Sequence, residues 1–137
     1  MYQQIIELRT SGRGFREITD EVRRIVAASR VRTGLCHLFL QHTSASLCMT
    51  ENAAPAVRDD LEAWANRLAP DSTTAYRHDE EGADDMPAHI RSLVAGVEMT
   101  IPVGEGRLLL GTWQGVYVWE HRHHAHQRRV VVTISGS

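Results

Sequence analysis

The sequence predicts an α+β fold: a mainly antiparallel β-sandwich with about three helices, in a single domain. Three observations lead there. Alternating, β-rich segments fill both ends of the chain, apolar stripes at helical spacing lie between and after them, and no linker, repeat or composition break divides the 137 residues. A chain of this length folds to a radius of gyration of about 14 Å and buries about two thirds of its unfolded surface. It needs no disulfide or structural metal to fold.

Residues 2 to 9 alternate and open the sheet. Ile18, Val22, Ile25 and Val26 fall on one side of a helical wheel, with Thr19 or Asp20 as the entry cap and an end near Arg30. Residues 34 to 42 form an apolar strand with Cys36, Leu38, Leu40 and His42 on one face and Leu35, His37, Phe39 and Gln41 on the other. Both faces are apolar enough to predict cover on each side. After the polar turn Thr43-Ser44-Ala45-Ser46, a strand runs from Leu47 to Glu51 and Asn52. Pro55 opens a second helix, whose stripe is Val57, Leu61, Trp64 and Leu68 with Asp60 at its border. Residues 70 to 84 are polar and aperiodic, a long loop. A third helix, Pro87 to Ala95, stops at Gly96 and points Met86, Ile90 and Leu93 at the core, with His89 at the edge. Strands at 97–102, 107–111, 113–121 and 128–134 follow, the last two joined by a His-rich hairpin tip at 122–127.

Composition narrows function. Fifteen basic residues against 17 acidic ones give a net charge of −2, without the basic footprint of a nucleic-acid binder. All 15 are Arg, which excludes a Schiff-base or phosphate-binding lysine. No apolar run reaches membrane-span length and no leader pattern opens the chain, so the expected address is cytoplasmic. Cys36 and Cys48 lack metal or redox spacing and read as reduced core thiols.

Eight histidines set the composition apart. His42 ends an apolar strand row beside the hydroxyls of Thr43, Ser44 and Ser46, where side chains and backbone N–H groups can converge on a ligand oxygen; a structural histidine bonded to the turn is an equal reading. His78 and His89 bracket Asp79, Glu80, Glu81, Asp84 and Asp85, a mixture of imidazole and carboxylate that suits Zn²⁺ or Mn²⁺, although such an acidic loop taken alone is more often a solvated surface. His121, His123, His124 and His126 read as a solvated tip, with some reserve over His121. Arg128 and Arg129 point to opposite faces of one strand, so only one can reach a given phosphate. Gln114 lies in the glycine-flanked run Gly111-Thr-Trp-Gln-Gly115, where it can read an amide or a water. A Ser44 or Ser46 nucleophile paired with His42 lacks the elbow motif such a serine requires.

Gln41-His-Thr-Ser-Ala-Ser-Leu47, Glu51-Asn52, Val57-Arg-Asp-Asp-Leu-Glu62, Tyr76-x-His78, Glu81-Gly-Ala-Asp-Asp-Met-Pro-Ala-His-Ile-Arg-Ser92, Gly111-Thr-Trp-Gln-Gly115 and Glu120-His-Arg122 together resemble the YjbQ-like family, also described as secondary thiamine-phosphate synthases. The resemblance covers essentially the whole chain. It implies a β-sandwich homotrimer with pockets near subunit boundaries, and a divalent cation, Zn²⁺, Mn²⁺ or Mg²⁺, in at least some members. It also implies a weak coupling of a pyrimidine diphosphate to a thiazole phosphate with loss of diphosphate. Carried onto this chain, it makes His42, His78 and His89 the expected metal ligands, and His42, Glu51 and Asp60 the expected catalytic groups. Thr43, Ser44, Asn52, Gln114 and Arg128 or Arg129 become the expected contacts to a phosphorylated small molecule. Two alternatives use the same residues: a non-catalytic trimer that binds a phosphorylated metabolite or a metal, and a metal-dependent hydrolase.

Overall fold

The structure, a computed structural model, describes residues 1–137. Its elements run β1 (Tyr2–Arg9), β2 (Gly14–Glu17), α1 (Thr19–Ser29), β3 (Gly34–Leu40), β4 (Ala45–Glu51), α2 (Pro55–Leu68), α3 (Asp85–Ala95), β5 (Glu98–Gly104), β6 (Arg107–Leu108), β7 (Gln114–Glu120) and β8 (Gln127–Gly136). Two antiparallel sheets, β1-β8-β3-β5-β6 and β2-β7-β4, face each other. This is the predicted α+β sandwich with three helices.

The core lies between the sheets. Cys36, Leu38 and Leu40 of β3, Ile101 and Val103 of β5 and Val130, Val132 and Ile134 of β8 meet Ala45 and Leu47 of β4 and Val116 and Val118 of β7. Helix α1 adds Val22, Ile25 and Val26. Its entry differs from expectation: Ile18 is the cap residue, while the Thr19 hydroxyl accepts the Val116 N–H and donates to Glu17. The exit is an αL residue, Arg30, as a helix terminus favours. Every residue of β7 after Gln114 is buried, because α2 covers its outer face: Trp119 donates its indole N–H to Glu62 at 2.7 Å. The larger sheet has no such cover, so Leu35 and Phe39, expected to be covered, are exposed.

Three further expectations are corrected. The 122–127 segment is not a hairpin tip, because β7 and β8 belong to different sheets and the segment carries the chain from one to the other. Strand β2 was not expected; its four residues, Gly14-Phe-Arg-Glu17, are too short and polar to announce a strand, and pairing with β7 makes it one. Helix α3 starts at Asp85, two residues before the expected Pro87, since proline is tolerated throughout a first turn. The helix is also rotated: Ala88, Arg91 and Ser92 are its buried face, and Leu93 is 87% exposed. Polar bonds set that phase. Ser92 Oγ donates to the Ala45 carbonyl at 2.8 Å, and the Arg91 guanidinium donates to Glu62 and Asn66 of α2. Both cysteines are free: Cys36 is buried in the core, where burial pushes its thiol up to about 12, and Cys48 is half-buried.

Candidate metal centre

Three side chains converge at the start of α3. Asp85 is the first residue of the helix and His89 lies one turn on, so both project from the same face. His78 reaches them from the preceding loop. One oxygen, Asp85 Oδ2, lies 2.8 Å from His78 Nε2 and 3.3 Å from His89 Nε2, and the ligand atoms of all three residues lie within 4.8 Å of one another. Asp85 is buried, while the two imidazoles open to solvent.

The donor set fits a cation. His89 Nδ1 lies 2.8 Å from the Thr43 carbonyl, which can only accept, so Nδ1 carries the proton. In the neutral ring Nε2 then holds a bare lone pair aimed at a carboxylate oxygen, an arrangement that repels unless a cation or a proton comes between. Second-partner bonding of this kind also fixes the orientation of a metal-ligating histidine. Two imidazole nitrogens and one carboxylate oxygen suit zinc, iron or manganese, with positions left open for water or substrate.

His42, expected among the ligands, stands outside this group. Its Nε2 accepts the Arg129 backbone N–H at 2.8 Å, which occupies the lone pair that a metal would need. Burial, and then the neighbouring Arg128 charge, hold its pKa below the usual histidine value, so the ring is neutral with Nδ1–H as its remaining donor. His42 and Thr43 nonetheless share with His89 one cavity of about 510 Å³, lined on its other sides by Met86, Ile90 and Leu93. The apolar side of α3 expected in the core therefore walls this pocket.

Arg128 and Arg129 do diverge, as strand alternation requires. Arg129 is exposed and pairs with Glu7 across β1 and β8. Arg128 turns inward, is 3% exposed, and bonds to Glu120 through both Nε and Nη2, with Nη2 also donating to the Ser44 carbonyl and hydroxyl. Burial raises the Glu120 pKa, but bonds from Arg128 and from Thr10 outweigh it and keep the carboxylate ionised. Arg128 is thus committed to joining the two sheets and to fixing the turn below His42, not free to clasp a phosphate.

The other expected residues gather elsewhere. Glu51 and Gln114 are register partners at the far end of β4 and β7, about 20 Å from the Thr43-Ser44 turn by strand rise. The Glu51 carboxylate accepts the Ala53 and Ala54 N–H groups at the entry to α2. Asn52 donates its backbone N–H to Trp113, and Gln114 Oε1 accepts the Gly111 N–H. Asp60 is exposed on α2. One chain therefore carries two separate groups of motif residues.

The reserve over His121 is justified. It is fully buried, its Nε2 lies 2.6 Å from Ser46 Oγ, and burial followed by the Arg91 charge lowers its pKa to about 3. His123 also has a role, bonding Asp71 through its ring and Asp84 through its backbone. The sequence offered Asp85 only as one of five carboxylates between His78 and His89, without singling it out, and Arg122 behind it was missed; the Glu120-His-Arg122 motif was the available signal.

Fold and site together define a class: a single-domain, two-sheet α+β protein with a two-histidine, one-carboxylate donor set at a helix start. Comparison with known proteins gives the particular family. Residues 4–137 match the family model described as UPF0047 protein YjbQ-like, and the chain belongs to that family. A UPF0047 protein YjbQ from Salmonella typhimurium is 50% identical over 136 residues, covering 98% of each chain. A UPF0047 protein from Synechocystis is 47% identical over 135 residues, 98% of this chain and 92% of that one. Among solved structures, an uncharacterized conserved protein of the YjbQ/UPF0047 family from Clostridium acetobutylicum superposes with a TM-score of 0.88 at 32% identity, covering 96% of this chain and 99% of that one.

Proposed function

We propose that the chain is a metal-dependent enzyme of phosphorylated small molecules, with thiamine-phosphate synthase-like coupling of a pyrimidine diphosphate to a thiazole phosphate as its reaction. The reading rests on one observation above the others: the His89 Nε2 lone pair, fixed by the Thr43 carbonyl, faces Asp85 Oδ2 and His78 beside an open cavity. His78, Asp85 and His89 would hold the cation, which when bound supplies neutralising charge to a diphosphate. In this reading the His42 Nδ1–H and the Thr43 hydroxyl, both at the cavity, donate to ligand oxygens, and Met86, Ile90 and Leu93 offer an apolar wall for a ring. An ionising leaving group needs positioning more than a protein nucleophile, and the one serine that lines the cavity, Ser92, has its hydroxyl bonded to the Ala45 carbonyl.

Glu51, Asn52, Asp60 and Gln114 enter this reading through assembly. A homotrimer would let them complete the pocket from a neighbouring copy, and the uncovered Leu35, Phe39, Trp64 and Leu93 supply apolar surface for contact. A metal-dependent hydrolase is the second reading, favoured by the same donor set, which also serves zinc hydrolases.

The test is turnover on the pyrimidine diphosphate and thiazole phosphate pair, with a panel of phosphoesters run alongside. Chelation followed by removal of the chelator should abolish coupling, and restoring Zn²⁺ or Mn²⁺ should return it. Coupling unchanged after verified removal of metal would overturn the metal role, whereas phosphoester cleavage without coupling would select the hydrolase.

A further inference from the structure

Arg122 lies in the connection between β7 and β8, and its side chain is largely buried. All three guanidinium nitrogens are committed to the segment that delivers the candidate ligands. Nη1 donates to Asp85 Oδ1 at 2.9 Å, Nε to Asp84 Oδ2 at 3.2 Å and Nη2 to the Glu81 carbonyl at 2.8 Å. The Arg122 backbone N–H in turn donates to Glu120 Oε2, and Glu120 is held by Arg128, which also holds Ser44. Thr43, one residue earlier, orients His89. The supports of the two α3 ligands are therefore joined behind the site: Asp85 is held through Arg122, His89 through Thr43, and the two are linked by Glu120, Arg128 and Ser44.

Geometry gives this chain of bonds a purpose. A carboxylate has two oxygens and can swing to present either or both. With Oδ1 taken by a planar fork, only Oδ2 remains turned toward His78 and His89. We infer that Arg122 is the positioning residue of the candidate metal centre, holding Asp85 as a one-oxygen ligand. This rests on the metal reading above. It also accounts for a cation placed behind a cation site, where charge alone is unfavourable.

That conflict of sign makes the test decisive. If Arg122 acted only as a nearby charge, its removal would strengthen binding of a divalent cation. If it positions Asp85, removal should weaken binding, by 10- to 100-fold on the scale of lost outer-shell partners. The experiment is Zn²⁺ titration against a competing chelator on the full chain, comparing wild type with Arg122→Gln and Arg122→Lys, each first checked for native circular dichroism. The expected order of affinity is wild type, then Arg122→Lys, then Arg122→Gln. Equal or tighter binding by folded Arg122→Gln would overturn the inference while leaving the metal reading intact. Should Arg122→Gln fail to fold, Arg122→Lys carries the test, because it keeps the charge and loses the fork: weaker binding supports positioning and unchanged binding refutes it. Absence of Zn²⁺ binding by wild type would remove both readings together.

Discussion

His121 shows how far burial can move a single side chain. Its ring is enclosed among Ser46, Trp119 and the cationic Arg91, Arg13 and Arg128, so it stays neutral well below the usual histidine range. The unfolded chain would protonate it near pH 6.5, so below that value the unfolded state binds more protons and stability falls with pH until about pH 3. His42, also lowered, acts in the same direction. Urea unfolding at pH 7.5 and pH 5 should differ by about 2 kcal/mol from His121 alone; equal stability at the two values would refute a buried neutral ring. At this scale the sequence was informative about residue type and poor about partners. His78 and His89 were legible as imidazoles among carboxylates, but His42 looked equally suited to a metal, since nothing local reveals that the Arg129 N–H from β8 occupies its Nε2.

At the scale of elements, α3 carries the lesson. A helix with Met86, Ile90 and Leu93 in register reads as an amphipathic helix turned inward along that stripe, yet Ser92 and Arg91 decide its phase by bonding to β4 and α2. The rotation shapes the cavity, because it leaves His89 and the apolar wall facing it. The phase has a measurable consequence. Ser92→Ala removes a buried bond and should cost about 1–2 kcal/mol, whereas Leu93→Ala, at a site 87% exposed, should change monomer stability by less than about 0.5 kcal/mol. Chemical denaturation distinguishes the two, and a larger loss for Leu93→Ala would contradict the assigned phase. The start of α3 mattered as much: reading it at Pro87 left Asp85 in the loop, and only a start at Asp85 puts that carboxylate one turn from His89. Strands were legible by alternation wherever they were long, but their partners were not. Strand β8 pairs with β1 at the other end of the chain, and short-range pattern cannot reveal that β7 and β8 part company.

For the whole molecule, the fold follows from two sheets closing on a shared core, with α2 and α3 covering the smaller sheet and the larger one open. The open face, and the two groups of motif residues about 20 Å apart along β4, are where the proposed trimer would act. If a trimer completes them, sedimentation should report three times the chain mass, and Phe39→Glu or Leu93→Glu should lower it without unfolding the protomer; a wild-type monomer would remove the composite-pocket reading. No helix is long and apolar enough to cross a membrane.

The central question is which side chains hold a cation. Its most direct test is the metal content, per chain, of wild type and of the His42→Ala, His78→Ala, Asp85→Asn and His89→Ala variants after equilibration with Zn²⁺ and gel filtration. We expect close to one ion per chain in wild type and in His42→Ala, and a large loss in the other three. Full retention by His89→Ala and Asp85→Asn, or loss in His42→Ala equal to theirs, would contradict it.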